Sequence, residues 1–360
     1  MGGGVNEPFS IDNYLTIIAL EDGLTATLSG NTVEYCVDGD GNWKSLASNT
    51  ASESINKGQT LSFRGNLTPT SSIGVGTFTI SKSCDLTGNC NSLLFGDNAK
   101  SNNSLSGKDY AFYNLFYNCT TIKNVSSNFL PATTLASRCY RNMFYGCSSL
   151  TTAPELPATT LATHCYYGMF WNCTSLTTAP ELPATTLAQN CYYSMFDGCK
   201  ALTTAPELPA TMLASSCYSY MFRNCYKLTT APQLPATTLK DYCYQYMFYG
   251  CSSLTTAPTL PATTLKDYCY TNMFYGCTSL TTAPELPATT LATHCYYGMF
   301  QECYKLNYIK AMFTTTPSTD YTNNWVSQVA SSGTFVKNKD ATWDVTGVHG
   351  IPSGWTVQTA

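Results

Sequence analysis

The chain has few charged side chains. Asp, Glu, Lys and Arg make up 11% of its 360 residues, and the formal net charge is -4. Without a basic block, binding to nucleic acid or to an anionic membrane surface has little electrostatic support. No stretch approaches the roughly 20 apolar residues of a membrane span. We therefore expect no nucleic-acid partner and no membrane span.

Histidine is also scarce, with only three residues, and the chain shows no paired carboxylate motif in its repeats. His164 and His294 each precede a cysteine in the sequence "THC". The corresponding slots of other repeats hold different residues, such as Asn190, Ser216 and Tyr242. A catalytic base would not be exchanged so freely, and no third group orients it. We expect no enzyme activity, no catalytic residue, no cofactor and no metal site.

The N-terminus lacks a secretion signal. The stretch "MGGGVNEPFSIDNYLTIIAL" has no basic region, and its short apolar run is followed by "EDG". This pattern favours a chain that stays in the cytoplasm where it is made. The alternative is a chain whose leader has been removed.

What the chain does have is a strict period of 26 residues. The segment "LPAT" recurs seven times, beginning at Leu130 and ending with the copy at Leu286. Two cysteines recur with it, one before "Y" and one after "MF", as in Cys165 and Cys173. Such a period signals a stacked repeat array, since about six buried apolar side chains cannot offset the entropy of ordering 26 residues alone.

Within a repeat, the apolar side chains change spacing. Leu161, Cys165, Met169 and Cys173 fall four residues apart, which predicts a helical or 3₁₀-like segment. The following "TSLTTAPEL" predicts a short strand whose ladder is limited by Pro180. Stacked strands lie about 4.8 Å apart and helices about 8–10 Å, so we expect the array to curve.

The run F-x-x-C-x-S-L-T-T-x-P-x-L-P resembles the BspA-like leucine-rich repeats of bacterial surface proteins. The matching residues in one copy are Phe144, Cys147, Leu150, Pro154, Leu156 and Pro157, and the resemblance covers about 110–306. It implies a leucine-rich-repeat-like solenoid, usually displayed on a surface and used for adhesion or recognition.

The fold class predicted from these observations is an α+β repeat solenoid of about eight coils, each with a short strand and a helical segment. Residues 1–80 contain short β-rich runs broken by Gly, Asn and Asp, which predict a small β-sandwich that serves for attachment. Residues 81–305 form the solenoid, and 306–360 form a C-terminal cap over its last coil. The sequence "DGDGNWK" predicts a hairpin turn with Trp43 packed beneath it.

The 18 cysteines invite a disulfide or zinc interpretation. Two cysteines eight residues apart on a helix would be about 12 Å apart, too far for a bridge. The spacing also fails for zinc. We expect the cysteines to be small buried hydrophobes in columns, while bridges between neighbouring coils stay open.

Variable positions lie between the fixed residues of each repeat. They hold Tyr, Trp, Asn, Ser, Gly and an occasional Arg, which is typical of recognition surfaces. An alternative is that these are tolerant exposed positions. The candidate ligand-binding residues are Tyr145, Tyr167, Trp171, Tyr193, Tyr220, Arg223, Tyr246, Tyr249, Tyr275 and Tyr297.

The sequence favours a non-enzymatic recognition or adhesion protein in one of two settings. In the first, it is a phage virion component, such as a tail or head fibre, that binds a bacterial surface glycan or protein. It is then assembled in the host cytoplasm and docks through its N-terminal domain. In the second, it is a BspA-like adhesin on the bacterial cell surface that binds host or neighbouring-cell ligands. Self-association into a homo-oligomer is left open.

Overall fold

The computed structural model describes residues 9–360, so the first eight residues of the predicted N-terminal domain lie outside the described part. Eight strands lie before the regular repeats: β1 Leu15–Ala19, β2 Ala26–Leu28, β3 Val33–Val37, β4 Lys44–Leu46, β5 Thr60–Arg64, β6 Phe78–Ile80, β7 Cys84–Thr87 and β8 Ile122–Val125. Helices are few and short: α1 is Ser92–Phe95, and 3₁₀ turns span Ile11–Asn13, Gly96–Ser101 and Ser127–Phe129. None of the described helices is both long and apolar enough to cross a membrane.

The N-terminal strands pair in two groups. A six-stranded sheet has the order β4-β3-β5-β1-β7-β8, and β2 pairs with β6. The predicted hairpin is confirmed, because β3 and β4 are antiparallel neighbours and Trp43 packs edge-on against Tyr14, 4.9 Å between ring centroids. The sandwich arrangement stays a prediction.

The six-stranded sheet leads directly into the repeats. Strand β8 pairs in parallel with β7, and its Asn124 forms a parallel bridge with Thr152. Similar single bridges link Thr178, Thr204, Thr230 and Thr256 in consecutive repeats. Each repeat therefore contributes one extended segment (177–187 and its equivalents), in which Pro180 and Pro183 restrict the ladder to isolated bridges.

The prediction of a helical or 3₁₀-like segment is wrong for a helix: residues 162–173 and their equivalents, here called the turn segments, are runs of tight turns. Only the three-residue hydrogen bonds of a 3₁₀ helix occur, and only at alternate residues. Every second N–H bonds to the carbonyl three residues earlier, as from Cys165 to Ala162. The intervening N–H groups donate to the next repeat, as from Tyr166 to the Cys191 carbonyl at 3.0 Å. An α-helix would keep all of these bonds within one segment.

The turn segments also contain left-handed residues at every fourth position. His164, Gly168 and Asn172 have φ of 56°, 59° and 60°, as the third residue of a type II turn requires. Both a helix of period 3.6 and this turn run place Cys165 and Met169 on one buried side, so the apolar pattern could not separate them.

The argument from which we expected the array to curve does not hold. It rested on helices that need about twice the spacing of strands. Instead, the turn segments bond to their neighbours through backbone N–H···O contacts, such as Gly168 to the Tyr193 carbonyl at 2.8 Å. Backbone hydrogen bonds therefore set the spacing between neighbouring repeats on both sides of the array.

The core consists of columns of identical side chains. Phe170 stacks on Phe196 at 5.7 Å between ring centroids, and Tyr166 stacks on Tyr192 at 5.8 Å. These rings are almost fully buried, as are the repeat leucines at the positions of Leu176 and Leu182. One hydrophobic cluster runs without interruption from β1 to Trp355.

All 18 cysteines are buried and have free thiols, in agreement with the expected small buried hydrophobes. In the column that follows "MF", each thiol also donates to a phenylalanine carbonyl of the preceding repeat, as Cys173 does to Phe144 at 3.2 Å. The helical distance that argued against bridges within a repeat does not apply, because the segment is not a helix.

The C-terminal residues continue the stack. β9 Tyr308–Ala311, β10 Thr334–Lys337 and β11 Thr356–Thr359 form a parallel sheet in the order β11-β10-β9. The helix α2, Thr319–Thr322, precedes Trp325. That indole lies over the last rings of the two core columns, 6.1 Å from Tyr296 and 6.2 Å from Phe300 between ring centroids. The cap is predicted to protect this end of the array.

A glycine substitution distinguishes turns from a helix. Gly276 has φ of 69°, and a Cβ there would meet only the Gly250 backbone, at an ordinary contact distance of 3.6 Å to its Cα. In a helix, Gly276→Ala would stabilise the protein by about 1 kcal/mol. In the turn run it is expected to destabilise the protein by about 1–2 kcal/mol, because an L-residue with a Cβ disfavours this φ. Urea unfolding measures the difference. Gly276→Asn is the matched control and should cost less, since Asn tolerates the left-handed region. If Gly276→Ala instead stabilises the protein, the helical interpretation of this segment is right and the turn assignment is wrong.

Candidate recognition surface

Three rows of side chains run along the turn segments, with one residue per repeat in each row. Ladder A takes the residue before the first cysteine of a repeat: Tyr110, Arg138, His164, Asn190, Ser216, Tyr242, Tyr268 and His294. Ladder B takes the second residue after that cysteine: Tyr113, Arg141, Tyr167, Tyr193, Ser219, Gln245, Thr271 and Tyr297. Ladder C follows the core phenylalanine: Tyr117, Tyr145, Trp171, Asp197, Arg223, Tyr249, Tyr275 and Gln301.

The aromatic rings within these ladders stack on one another. Ring centroids are 4.6 Å apart between Tyr167 and Tyr193 in ladder B. In ladder C they are 4.5 Å apart between Tyr249 and Tyr275. Nearly parallel rings at this distance cover each other's faces. The stacked rings therefore present edges and phenol hydroxyls, rather than open faces, to a ligand.

All ten predicted binding residues are half-buried, and nine of them join in one chain of contacts. Tyr193 continues to Tyr220 at 5.1 Å, although Tyr220 sits one residue later in its repeat than ladder B. From Tyr220 the contacts continue to Tyr246 at 4.6 Å and on to Tyr249 at 5.7 Å. At the other end, Tyr145 meets Trp171 edge-on at 5.3 Å.

Arg223 joins the Tyr145–Trp171 pair to the other tyrosines in this series of contacts. Its guanidinium carbon lies 5.1 Å from the ring centre of Tyr220 and 5.9 Å from that of Trp171. The tenth residue, Tyr297, packs beside His294 at 5.6 Å between ring centroids. The nine connected residues and Tyr297 are together called the aromatic face here.

A buried carboxylate lies at the centre of the aromatic face. The Asp197 side chain is 2% exposed and pairs with Arg223, Nη2 to Oδ2 at 2.7 Å. Burial raises the pKa of Asp197 to about 6, against the opposing effect of Arg223. The ion pair holds the guanidinium in place between Trp171 and Tyr220, so Arg223 is oriented within the chain and its charge is neutralised above that pKa.

Sequence reasoning missed several members of this surface. Ladder A contains the stack Tyr242–Tyr268–His294, with centroids 4.7 and 4.9 Å apart. Arg141 lies over the ring of Tyr167, 4.5 Å from its centre. The signal was present for Arg141, because it occupies the same slot as Tyr167 and Tyr193. The ladder A residues occupy a slot that holds none of the predicted binding residues.

Some variable slots have a backbone role. Asn118, Gly146, Asn172 and Gly198 occupy one slot in four consecutive repeats, and all have positive φ. A Cβ on Gly146 would lie 2.1 Å from the Asn118 Oδ1, so each asparagine fits over a glycine of the next repeat. Their recurrence therefore follows from left-handed turns and not from ligand chemistry.

The "HCYY" stretch does not assemble a catalytic pair. Cys165 is fully buried, and burial raises its pKa well above the usual thiol value. His164 Nε2 lies 3.0 Å from the Asn190 side-chain amide of the next repeat. Burial, followed by Arg138 and Arg141, lowers the pKa of His164. Among residues 9–360, no group of three or more His, Cys, Asp and Glu side chains is placed to hold a metal ion.

Comparisons with known proteins address the repeats. A family model described as "BspA type Leucine rich repeat region" matches residues 110–229 and 189–325, with six copies. Together the matches span more than half of the 360 residues. No curated protein matches the chain.

Among solved structures, a chain from "Crystal structure of TLR13-ssRNA13 complex" is similar at 12% sequence identity, with a TM-score of 0.26. The match covers 63% of this chain and 31% of that one. This chain thus spans less than a third of the length of that protein, and so low a similarity supports no argument about function.

Proposed function

Because the chain belongs to the BspA-type leucine-rich repeat family, we propose that it is a non-enzymatic recognition protein that binds its ligand on the aromatic face. Repeats of this family fit a role in interaction or adhesion. The observation that carries the proposal is the continuous series of side-chain contacts from Tyr145 to Tyr275, in which Arg223 joins Trp171 to Tyr220. A half-buried, rigid row of tyrosines with an arginine provides contact area at little entropic cost.

The burial and the raised pKa of the repeat thiols argue against catalysis by the repeats. A cysteine nucleophile needs a lowered pKa and access to solvent. The repeat cysteines have raised pKa values and lie in the core, as with Cys165 and Cys217. We therefore propose binding without catalysis, cofactor or metal.

The setting we propose first is a phage virion, as a tail or head fibre component whose repeats wind into a solenoid and whose N-terminal domain docks to the particle. The reduced, hydrogen-bonded thiols are compatible with assembly in the host cytoplasm. A cell-surface adhesin is the second candidate, favoured by the family to which the repeats belong. Capsid or tail genes beside this gene would support the first setting, and an encoded upstream signal sequence would reject it.

The binding site is tested with a triple variant, Tyr167→Ala, Trp171→Ala and Tyr193→Ala. Binding to whole bacteria and to a glycan array is expected to weaken by at least about tenfold, because aromatic anchors each contribute about 1–2 kcal/mol or more. Circular dichroism verifies that the variant is folded.

The matched control is Met212→Ala. Met212 is 78% exposed and lies in an extended segment, outside the three ladders. The Met212→Ala variant is expected to bind like the native protein. Equal binding by the triple variant and the native protein would remove the aromatic face as the ligand site.

A further inference from the structure

We propose that Arg138 and Arg141 form a binding site for the carboxylate of an acidic glycan, at the end of the aromatic face nearest the N-terminal sheet. This inference rests on the proposed function and specifies the ligand class for the same surface. Its residues are the second members of ladders A and B.

Arg141 takes the place of a tyrosine in ladder B. Its guanidinium carbon lies 5.9 Å from the ring centre of Tyr113 in the preceding repeat and 4.5 Å from that of Tyr167 in the next. Rings on both sides cover the faces of the guanidinium. Only the planar edge of the guanidinium is left for a ligand, and its N–H donors form a fork that matches a carboxylate.

Arg138 lies three residues earlier in the same repeat and is held in a similar way. Its guanidinium carbon is 5.3 Å from the ring centre of Tyr110, and Nη1 donates to the Ser137 hydroxyl at 3.1 Å. The rings that hold the two guanidiniums, Tyr110 and Tyr113, contact each other edge-on at 5.9 Å between centroids. The two arginines therefore lie side by side on this surface.

Within residues 9–360, no acidic side chain neutralises these two charges. Five ion pairs occur among residues 9–360, and neither arginine takes part in one. Asp109 is nearby, but its carboxylate accepts the Ser137 N–H at 3.1 Å. The buried Nε–H of Arg141 has no acceptor in the described residues. Arg223, on the same face, shows the contrasting arrangement, because Asp197 occupies its donors.

The neighbouring chemistry favours a glycan as the source of the carboxylate. Beyond Arg141, ladder B continues through the stacked rings of Tyr167 and Tyr193, which offer hydroxyl-bearing edges. A hydroxyl-rich ligand can exchange hydrogen bonds with such edges. An acidic peptide would more often insert apolar side chains against open ring faces, and here those faces are covered.

The test uses the full chain and titrates polygalacturonate as the probe at fixed ionic strength. Arg138→Gln with Arg141→Gln is expected to weaken binding by at least tenfold, because hydrogen bonds to charged groups contribute more than neutral ones. Arg141→Lys is expected to lose much of the affinity as well, since Lys has charge but no planar fork.

The matched control removes two charges elsewhere in the repeats, with Lys240→Gln and Lys266→Gln, both exposed residues. It is expected to bind like the native protein. Dextran sulfate, polyglutamate and neutral dextran, titrated in parallel, are expected to bind at least tenfold more weakly than polygalacturonate. Absence of polygalacturonate binding, equal loss in the lysine control, or equally tight binding of polyglutamate or dextran sulfate would overturn the proposal.

Failure of this inference is distinguishable from failure of the proposed function. If the double arginine variant binds bacteria normally and the triple aromatic variant does not, only the carboxylate site is rejected. If the triple aromatic variant binds bacteria normally, the proposed function is rejected, whatever the arginine variant does.

Discussion

Raising the pH from 8 to 10 is expected to remove about 6 kcal/mol of folding stability. Burial raises the pKa of Cys139, Cys191, Cys243 and Cys295 to about 12, from an ordinary value of 9.0. A raised pKa means that the folded state keeps these thiols protonated. Their contribution is therefore complete below about pH 9 and is lost as the pH rises from 9 towards 12.

The magnitude follows from proton linkage. One pH unit above the unfolded pKa costs about 1.4 kcal/mol per thiol, so these four thiols alone cost about 6 kcal/mol at pH 10. That is comparable with the entire stability of many domains. The other column cysteines, such as Cys165 and Cys217, also have raised pKa values and add to the loss.

Urea unfolding under reducing conditions measures the effect at pH 6, 7, 8, 9 and 10. The midpoint should be flat up to pH 8 and should fall steeply above 9. Buried tyrosines such as Tyr166 also have raised pKa values, but their contribution begins near pH 10, and tyrosinate absorbance reports it separately. The same midpoint at pH 7 and pH 10 would contradict the protonated, buried state of the thiols.

The repeat and its buried residues could be read from the sequence, and the backbone between them could not. The 26-residue period placed Cys165, Met169 and Cys173 in the core, where they lie with zero exposure. A spacing of four residues is close enough to 3.6 to predict a helix. The sequence feature that argued against a helix was the frequent pairing of Asn and Gly four residues apart, as in Asn142 and Gly146, which left-handed turns favour.

The sequence predicted which residues form the site, but not how they contact one another. The sequence identified Tyr167, Tyr193 and Trp171 as variable positions on a Tyr-rich array. It could not show that Tyr193 continues to Tyr220, because that step crosses from one slot to the next between neighbouring repeats. Nor could it separate Arg223, which pairs with Asp197, from Arg141, which has no acidic partner in residues 9–360, since an ion pair between repeats depends on their register.

Phe222→Ala is expected to lower the free energy of unfolding by about 3–5 kcal/mol, the usual cost of removing a fully buried phenylalanine. The ring lies in the middle of the array, 5.7 Å from Phe196 on one side and 5.7 Å from Phe248 on the other. Each repeat is stabilised by its neighbours, so the cavity weakens two interfaces at once. The backbone carbonyl of Phe222 still accepts the Cys251 thiol at 3.1 Å, which confines the change to packing.

Urea unfolding followed by circular dichroism measures this loss, with Tyr226→Ala as the control. Tyr226 lies four residues away in the same repeat, but its side chain is 41% exposed, so its removal should change stability by no more than about 0.5 kcal/mol. Hydrogen exchange should then be fastest in the repeats on either side of Phe222, since the weakened interfaces open there first. A loss below about 1 kcal/mol for Phe222→Ala would mean that neighbouring repeats collapse into the cavity, and that the stacked column contributes little to holding the array together.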